Sequence, residues 1–246
     1  EATGAYSNGD ASKVSVKPGV QSLRSMTVND QYKAGMKATY GESVNLNSHM
    51  AKNSEWGAIV YLAHSKYGAN KKKVEQNTNS SYYTGGTNTV EEIYTTNKTQ
   101  STTHNATGVY DLNGGAWERT AAYVNNGNKN LGTYGGKTAG DIYGATEKEQ
   151  STSTRYKTVY SSENNQLKDY QTAGKKNKGD VVYETSVSHS NGTGSWFDAY
   201  ANFPGGASPV FNRGGHYSDA SAGSFCFTYN FGDALGNYSF RPVLAP

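Results

Sequence analysis

An α+β fold, loop-rich with short strands and few helices, is predicted by three observations. The first is composition: 29 Gly and 20 Tyr against 5 Pro, with charged residues at only 17%, is the blend of a polar, turn-rich chain rather than a helical bundle. The second is one segment of helical periodicity, between residues 48 and 67. The third is a series of short apolar stretches separated by glycines from residue 195 onward. Aromatic residues at 12% supply the material for a core and set the chain apart from disordered sequences.

Residues 1–45 carry Gly, Ser and Asn punctuation and weak periodicity, which predicts an N-terminal arm or short strands. From Ser48 to His64 the residues Met50, Ile59, Leu62 and Ala63 fit one helical face, and Gly68 can stop the helix just past Tyr67. Residues 69–107 are polar, with a turn at Gly85-Gly86. The run Gly108 to Arg119 then reads as a turn feeding a strand. Between about 124 and 180 almost no apolar period survives, so a polar insertion or long surface loops are expected. Strand-like stretches resume at Val181. Phe225 and Phe227 alternate with Ser224 and Cys226, which predicts phenylalanines facing a core and the residues between them facing outward.

The same numbers remove several classes of function. A net charge of +3, with lysines scattered apart from Lys71-Lys72-Lys73, lacks the concentrated basic face of a nucleic-acid binder. Cys226 is the single cysteine, so no internal disulfide forms. No run of about eighteen apolar residues exists to span a membrane, so any membrane attachment is expected through a segment not present in this chain. The sequence opens without methionine or a visible signal peptide, and we expect that an N-terminal segment has been removed.

Three blocks carry a resemblance. Gly108-Val109-Tyr110-Asp111-Leu112-Asn113-Gly114-Gly115-Ala116-Trp117-Glu118, Arg213-Gly214-Gly215-His216-Tyr217 and Ser239-Phe240-Arg241-Pro242-Val243 occur in that order. They resemble the corresponding blocks of the formylglycine-generating-enzyme subtype of the C-type-lectin-like fold. The stretch Met50 to Gly68 is similar to a segment found in surface proteins of gut Firmicutes. Those proteins resemble the variable proteins of diversity-generating retroelements, whose last lectin-fold segment is rewritten by adenine-directed mutagenesis. The resemblance implies a C-type-lectin-like domain over 46–246, with Trp117, Phe225, Phe227 and Phe240 buried together and residues 213–244 in adjacent strands. It also implies structural roles for Asp111, in a turn, and Glu118, holding backbone or a neighbouring cation.

Enzymatic readings find little support in the residues. The oxidases of the formylglycine type hold copper with two cysteines, and a lone Cys226 is a poor soft-ligand set. His49, His64, His104, His189 and His216 are spread singly. No G-x-S-x-G elbow or phosphate-binding loop occurs. The tripeptides and W-N-D block of calcium-dependent sugar lectins are missing as well. We therefore expect no enzyme activity, no cofactor and no metal. A degenerate formylglycine-type oxidase and an invariant pilin-like structural protein are the alternatives.

A positive signal lies at the C-terminal end. Randomising the first two positions of AAC or AAT codons never yields Lys, Glu, Gln, Met or Trp. These five types total 42 of 246 residues, so about four or five are expected in the 27 positions from Gly214 to Phe240, and none occurs. The gap begins at Phe197, so it supports the idea without locating a boundary. Against the family pattern, Tyr217, Ala222, Gly223, Phe225, Phe227, Gly232, Ala234 and Ser239 are fixed positions. The slots between them hold His216, Ser218, Asp219, Ser224, Cys226, Thr228, Tyr229, Phe231, Asp233, Leu235, Asn237 and Tyr238. Exposed aromatics beside small polar groups are paratope chemistry. The expectation is a binding protein, an adhesin or receptor-binding protein, with a variable segment at about 212–240. It would be displayed on a bacterial cell surface or a phage virion and take a protein or glycan ligand at a cell or host surface.

Overall fold

The structure is a computed structural model that describes residues 1–7, 9–37, 47–88, 96–161, 179–186 and 194–244. It is mixed α and β, with short strands and few helices, as the composition predicts.

The longest strand, β4 (Trp117–Asn125), organises the molecule. It pairs antiparallel with β6 (Val210–Arg213), with Glu118 opposite Arg213 and Tyr123 opposite Val210. Its other edge is shared by two parallel partners. β5 (Thr158–Ser161) takes the C-terminal half and β8 (Tyr238–Phe240) the first three residues. β7 (Phe227–Asn230) closes the sheet against β6. Thus β7 and β8 lie on opposite sides of the β4–β6 pair, and residues 213–244 do not form adjacent strands as expected.

Because β4 is covered on both faces, its seven inner residues are all buried. Alternation sends Ala121 and Tyr123 into one core with Met50, Val210 and Phe240. Ala122 and Val124 enter a second core with Tyr160, Phe203, Phe211 and Phe227. A third core gathers Trp56, Val60, Leu112, Val181, Phe225 and Cys226, with Trp117 only half-buried at its margin. The four aromatics expected to cluster are therefore spread over three cores, because a strand buried on both faces has no single inside.

Helix α2 (Asn53–His64) begins where Glu55 reaches back to accept the Lys52 amide at 2.8 Å. It buries Asn53, Trp56, Gly57, Val60 and Ala63, a stripe offset from the predicted one. Met50 belongs instead to β3 (His49–Met50), which pairs with β9 (Pro242–Val243), and Leu62 is 59% exposed. The helix stops at His64, before Gly68, as the Ser65 hydroxyl donates to the Leu62 carbonyl at 2.7 Å.

Residues 3–15 form a hairpin of β1 (Thr3–Ser7) and β2 (Asp10–Ser15), and α1 (Val28–Lys37) follows. The reading of weak periodicity over residues 1–45 passed over that helix. Its Val28, Tyr32 and Ala34 fill the first core, and the Ala2 amide donates to the Phe240 carbonyl at 2.8 Å. The expected insertion carries short helices α3 (Lys129–Tyr134) and α4 (Glu147–Ser151) before β5, while 162–178 lie outside the described residues. Leu131, Ile142, Tyr143 and Tyr160 from it are buried.

The loop-rich part is held by side-chain amides in place of sheet ladders. Asp111, at φ 61°, accepts from Asn77 Nδ2 at 2.8 Å and from the Gly85 amide at 3.0 Å. Asn97 Nδ2 donates to the Gly85 carbonyl at 2.7 Å, and Gln100 Nε2 to that of Gly86 at 2.8 Å. Glu118 is buried and paired with Arg241, whose Nη2 also donates to the Tyr110 carbonyl at 2.9 Å. The structural roles expected of Asp111 and Glu118 are those found.

Candidate ligand-binding face

The C-terminal segment leaves the sheet at Arg213, returns as β7, leaves again and returns as β8. Each excursion is fixed at its base. Gly214 and Gly215 turn the chain at φ 79° and 83°, and a Cβ at Gly215 would stand 2.3 Å from that of Ala222. Gln76 Nε2 holds the loop beyond them through the carbonyls of His216 and Asp219, both at 2.9 Å. His216 is locked by Tyr82 Oη at 2.9 Å and Ser218 Oγ at 3.0 Å, and burial pulls its pKa below the ordinary value. The second excursion is anchored by Arg119. That buried guanidinium donates to Asn230 Oδ1 at 2.6 Å and to the Asp233 carbonyl, and it stacks 4.6 Å from the Tyr238 ring.

Between these loops lies a cleft of about 370 Å³. Slots Asp219, Thr228, Tyr229 and Tyr238 line it together with Trp117 and Tyr200. Tyr229 on its wall is 42% exposed, and Phe231 and Leu235, on the excursion between β7 and β8, are 44% and 41% exposed. Ser218 is exposed too, while His216, Asp219, Asp233, Asn237 and Tyr238 are half-buried. A second hollow of about 510 Å³, with Phe197, Asp198 and Lys73 in its wall, shares Ser221 with the cleft.

Three of the twelve slots depart from the expectation. Cys226 is fully buried, and burial pushes its thiol up to about 12. Ser224 is buried, with its carbonyl accepting from Trp56 Nε1 at 2.8 Å and its hydroxyl 3.0 Å from His64 Nε2. Thr228 is nearly covered as well, though it still floors the cleft. The reason is local. Residues 224–226 form a turn, closed by the Cys226 amide on the Gly223 carbonyl at 2.8 Å, and the strand starts only at Phe227. Two-residue alternation therefore does not extend back to Ser224, and both Ser224 and Cys226 leave the ligand face.

Sequence reasoning missed Trp117, assigned to the core, and Tyr200. The Ala199-Tyr200-Ala201 alternation, with both alanines buried, is the signal that could have marked Tyr200. It also missed the outward pair Trp196 and Phe197, exposed by 46% and 39%. Phe197 stacks at 13° on Phe225 and sits at a left-handed φ of 59°. No helix among the described residues is long and apolar enough to cross a membrane. No group of three or more His, Cys, Asp or Glu among them could hold a metal ion, and His189 lies outside those residues. No protein-family model matches the chain, and no curated protein matches it either.

Proposed function

We propose that this chain is a non-enzymatic ligand-binding protein of the C-type-lectin-like fold, whose C-terminal segment is diversified to change specificity. The observation that carries the reading is the joint placement of the slots. Asp219, Thr228, Tyr229 and Tyr238 converge on one cleft, and Phe231 and Leu235 stand exposed on the excursion between β7 and β8. Their supports, Gly214, Gly215, Phe225 and Phe227, are residues that tight turns and a core demand. A rigid base under changeable tips is the arrangement in which sequence variation alters contacts without unfolding the domain.

The ligand in this reading is a protein or glycan at a cell or host surface, met by a protein displayed on a bacterium or phage. The oxidase alternative loses support from Cys226, because a buried thiol held protonated is neither a ready nucleophile nor a copper thiolate. The test is sequencing of the gene and its flanks across isolates. Substitutions should concentrate at His216, Ser218, Asp219, Thr228, Tyr229, Phe231, Asp233, Leu235, Asn237 and Tyr238, with a near-copy of the 3′ end beside a reverse transcriptase. Variation spread evenly over the chain, with no such copy, would overturn the reading in favour of an invariant scaffold.

A further inference from the structure

The slot cleft, of about 370 Å³, is walled by rings: Trp117, Tyr200, Tyr229 and Tyr238 all line it. Trp117 on β4 and Tyr238 on β8 are register partners on adjacent strands, so their side chains stand on one face of the sheet. The Tyr200 amide donates to the carbonyl of Ser221, another lining residue, at 3.0 Å. Tyr229 stands exposed on β7, and the other three aromatics are half-buried, so all four are within reach of a ligand.

Charge in the wall has one sign. Among the described residues that line the cleft, Asp219 alone is charged at neutral pH, and it is half-buried rather than sealed. Its Oδ2 accepts the His216 amide at 3.1 Å, and none of the ion pairs among the described residues includes it. Arg119, stacked on the Tyr238 ring, is buried and already faces the Asp233 carboxylate at 3.6 Å. Lys73 lines the adjoining hollow together with Asp198, and there the two signs balance. His216 is held neutral by its burial. A ring face attracts a cation through its quadrupole, most strongly where water is partly excluded. A quaternary ammonium suits such a wall: it has no N–H to satisfy, its methyl groups pack on rings, and one carboxylate answers its charge.

We propose that the slot cleft takes a quaternary ammonium group of the ligand, its methyls against Trp117, Tyr200, Tyr229 and Tyr238 and its charge facing Asp219. The inference rests on the slot cleft being the ligand face. Because Asp219, Tyr229 and Tyr238 are slots while Trp117 and Tyr200 are not, the preference for a cation belongs to this copy of the segment and the two constant rings to every copy.

Calorimetric titration of the 246-residue chain with choline, and with 3,3-dimethyl-1-butanol as its neutral isostere, tests this. Expected is saturable binding of one choline per chain, about tenfold or more tighter than the alcohol. Asp219→Asn, whose amide oxygen can still accept from His216, should bring choline down to the level of the alcohol. Tyr229→Leu, at an exposed position, keeps apolar bulk but removes a ring face. It should weaken choline several-fold and leave the alcohol unchanged, so the idea stays testable if the first variant misfolds. No saturable heat with choline, equal affinity for choline and alcohol, or choline binding indifferent to both substitutions would each overturn the proposal. Variation concentrated in the slots would stand through any of these outcomes, so loss of the ammonium preference leaves the binding function intact.

Discussion

Cys226 shows how one residue's environment reverses an expectation drawn from spacing. On an outward slot, Cys226→Ser would change stability by no more than about 0.5 kcal/mol. In the third core, beside Phe225, the substitution places a hydroxyl among Trp56, Leu112 and Val181. We predict a loss of about 1–3 kcal/mol in denaturant unfolding, the cost of desolvating a polar group in a tight site. Tyr238 divides from its neighbours in the same way. Tyr229 and Phe231 are exposed tips, so replacing both with Ser should leave the melting temperature nearly unchanged while abolishing ligand binding. Tyr238→Ser removes the ring over Arg119 and uncovers a buried guanidinium, so its melting temperature should fall clearly below that of the double variant. Equal melting of the two would mean that the stacking contributes nothing.

At the scale of one element, two opposing magnitudes meet in α2. In an isolated helix, Gly→Ala at position 57 stabilises by about 1 kcal/mol. Here the added Cβ would stand 1.9 Å from the Gly179 carbonyl oxygen, and Gly57 is buried. Overpacking of this kind costs about 1–3 kcal/mol or more. We therefore predict that Gly57→Ala destabilises the protein, measured by thermal melting; a stabilised variant would show that the 179–180 segment yields freely. The start of the same helix carries a pH dependence. His49 Nε2 lies 2.7 Å from Glu55 Oε1, and that hydrogen bond, against the burial that opposes it, raises the histidine above its ordinary 6.5. A raised folded value means the stabilisation is complete below pH 6.5 and is lost as pH rises through the folded value. Against its own burial, Glu55 is lowered by His49 and the Lys52 amide, so its share is complete above 4.5 and lost as pH falls. Stability from the pair is thus greatest between 4.5 and 6.5. His49→Gln should flatten the decline in melting temperature above pH 6.5.

The described residues form three cores separated by strands, and the C-terminal segment supplies each with one phenylalanine: Phe240, Phe227 and Phe225. Truncating any of them to Ala should cost about 3–5 kcal/mol, in unfolding experiments on the intact chain. Because the cores differ, the losses at Phe240 and Phe225 should add in the double variant, whereas residues sharing one cavity would show coupling. The candidate face sits over this arrangement, with its slots at the edges of β7 and β8 and in the loops beside them.

Residue chemistry legible in the sequence determined a good part of this. The Gly85-Gly86 pair marked a real turn, with left-handed backbone at Gly85, whereas the left-handed turn at Gly214 and Gly215 falls where strand was expected. Phenylalanines at 225, 227 and 240 marked burial, and the polar, Asn-rich composition marked a chain held by side-chain amides. The structural roles of Asp111 and Glu118 followed from the resemblance rather than from residue type, since their partners Gly85 and Arg241 lie 26 and 123 residues away. What the sequence could not determine depended on which surfaces meet across long separations. Helix α1 sets Val28, Gln31, Tyr32 and Gly35 at helical spacing on its buried face, a signal that the reading of weak periodicity over residues 1–45 passed over, and it gains its burial from β3, β4 and the hairpin. The side of α2 that faces inward was settled by the Gly179 segment and Ser224, far along the chain. Whether Ser224 and Cys226 point to ligand or to core depended on where β7 begins, which the turn at Gly223 decides and no local pattern specifies. Local chemistry sets what a residue can do; only tertiary packing, by choosing which neighbours exclude water from it, decides where it does so.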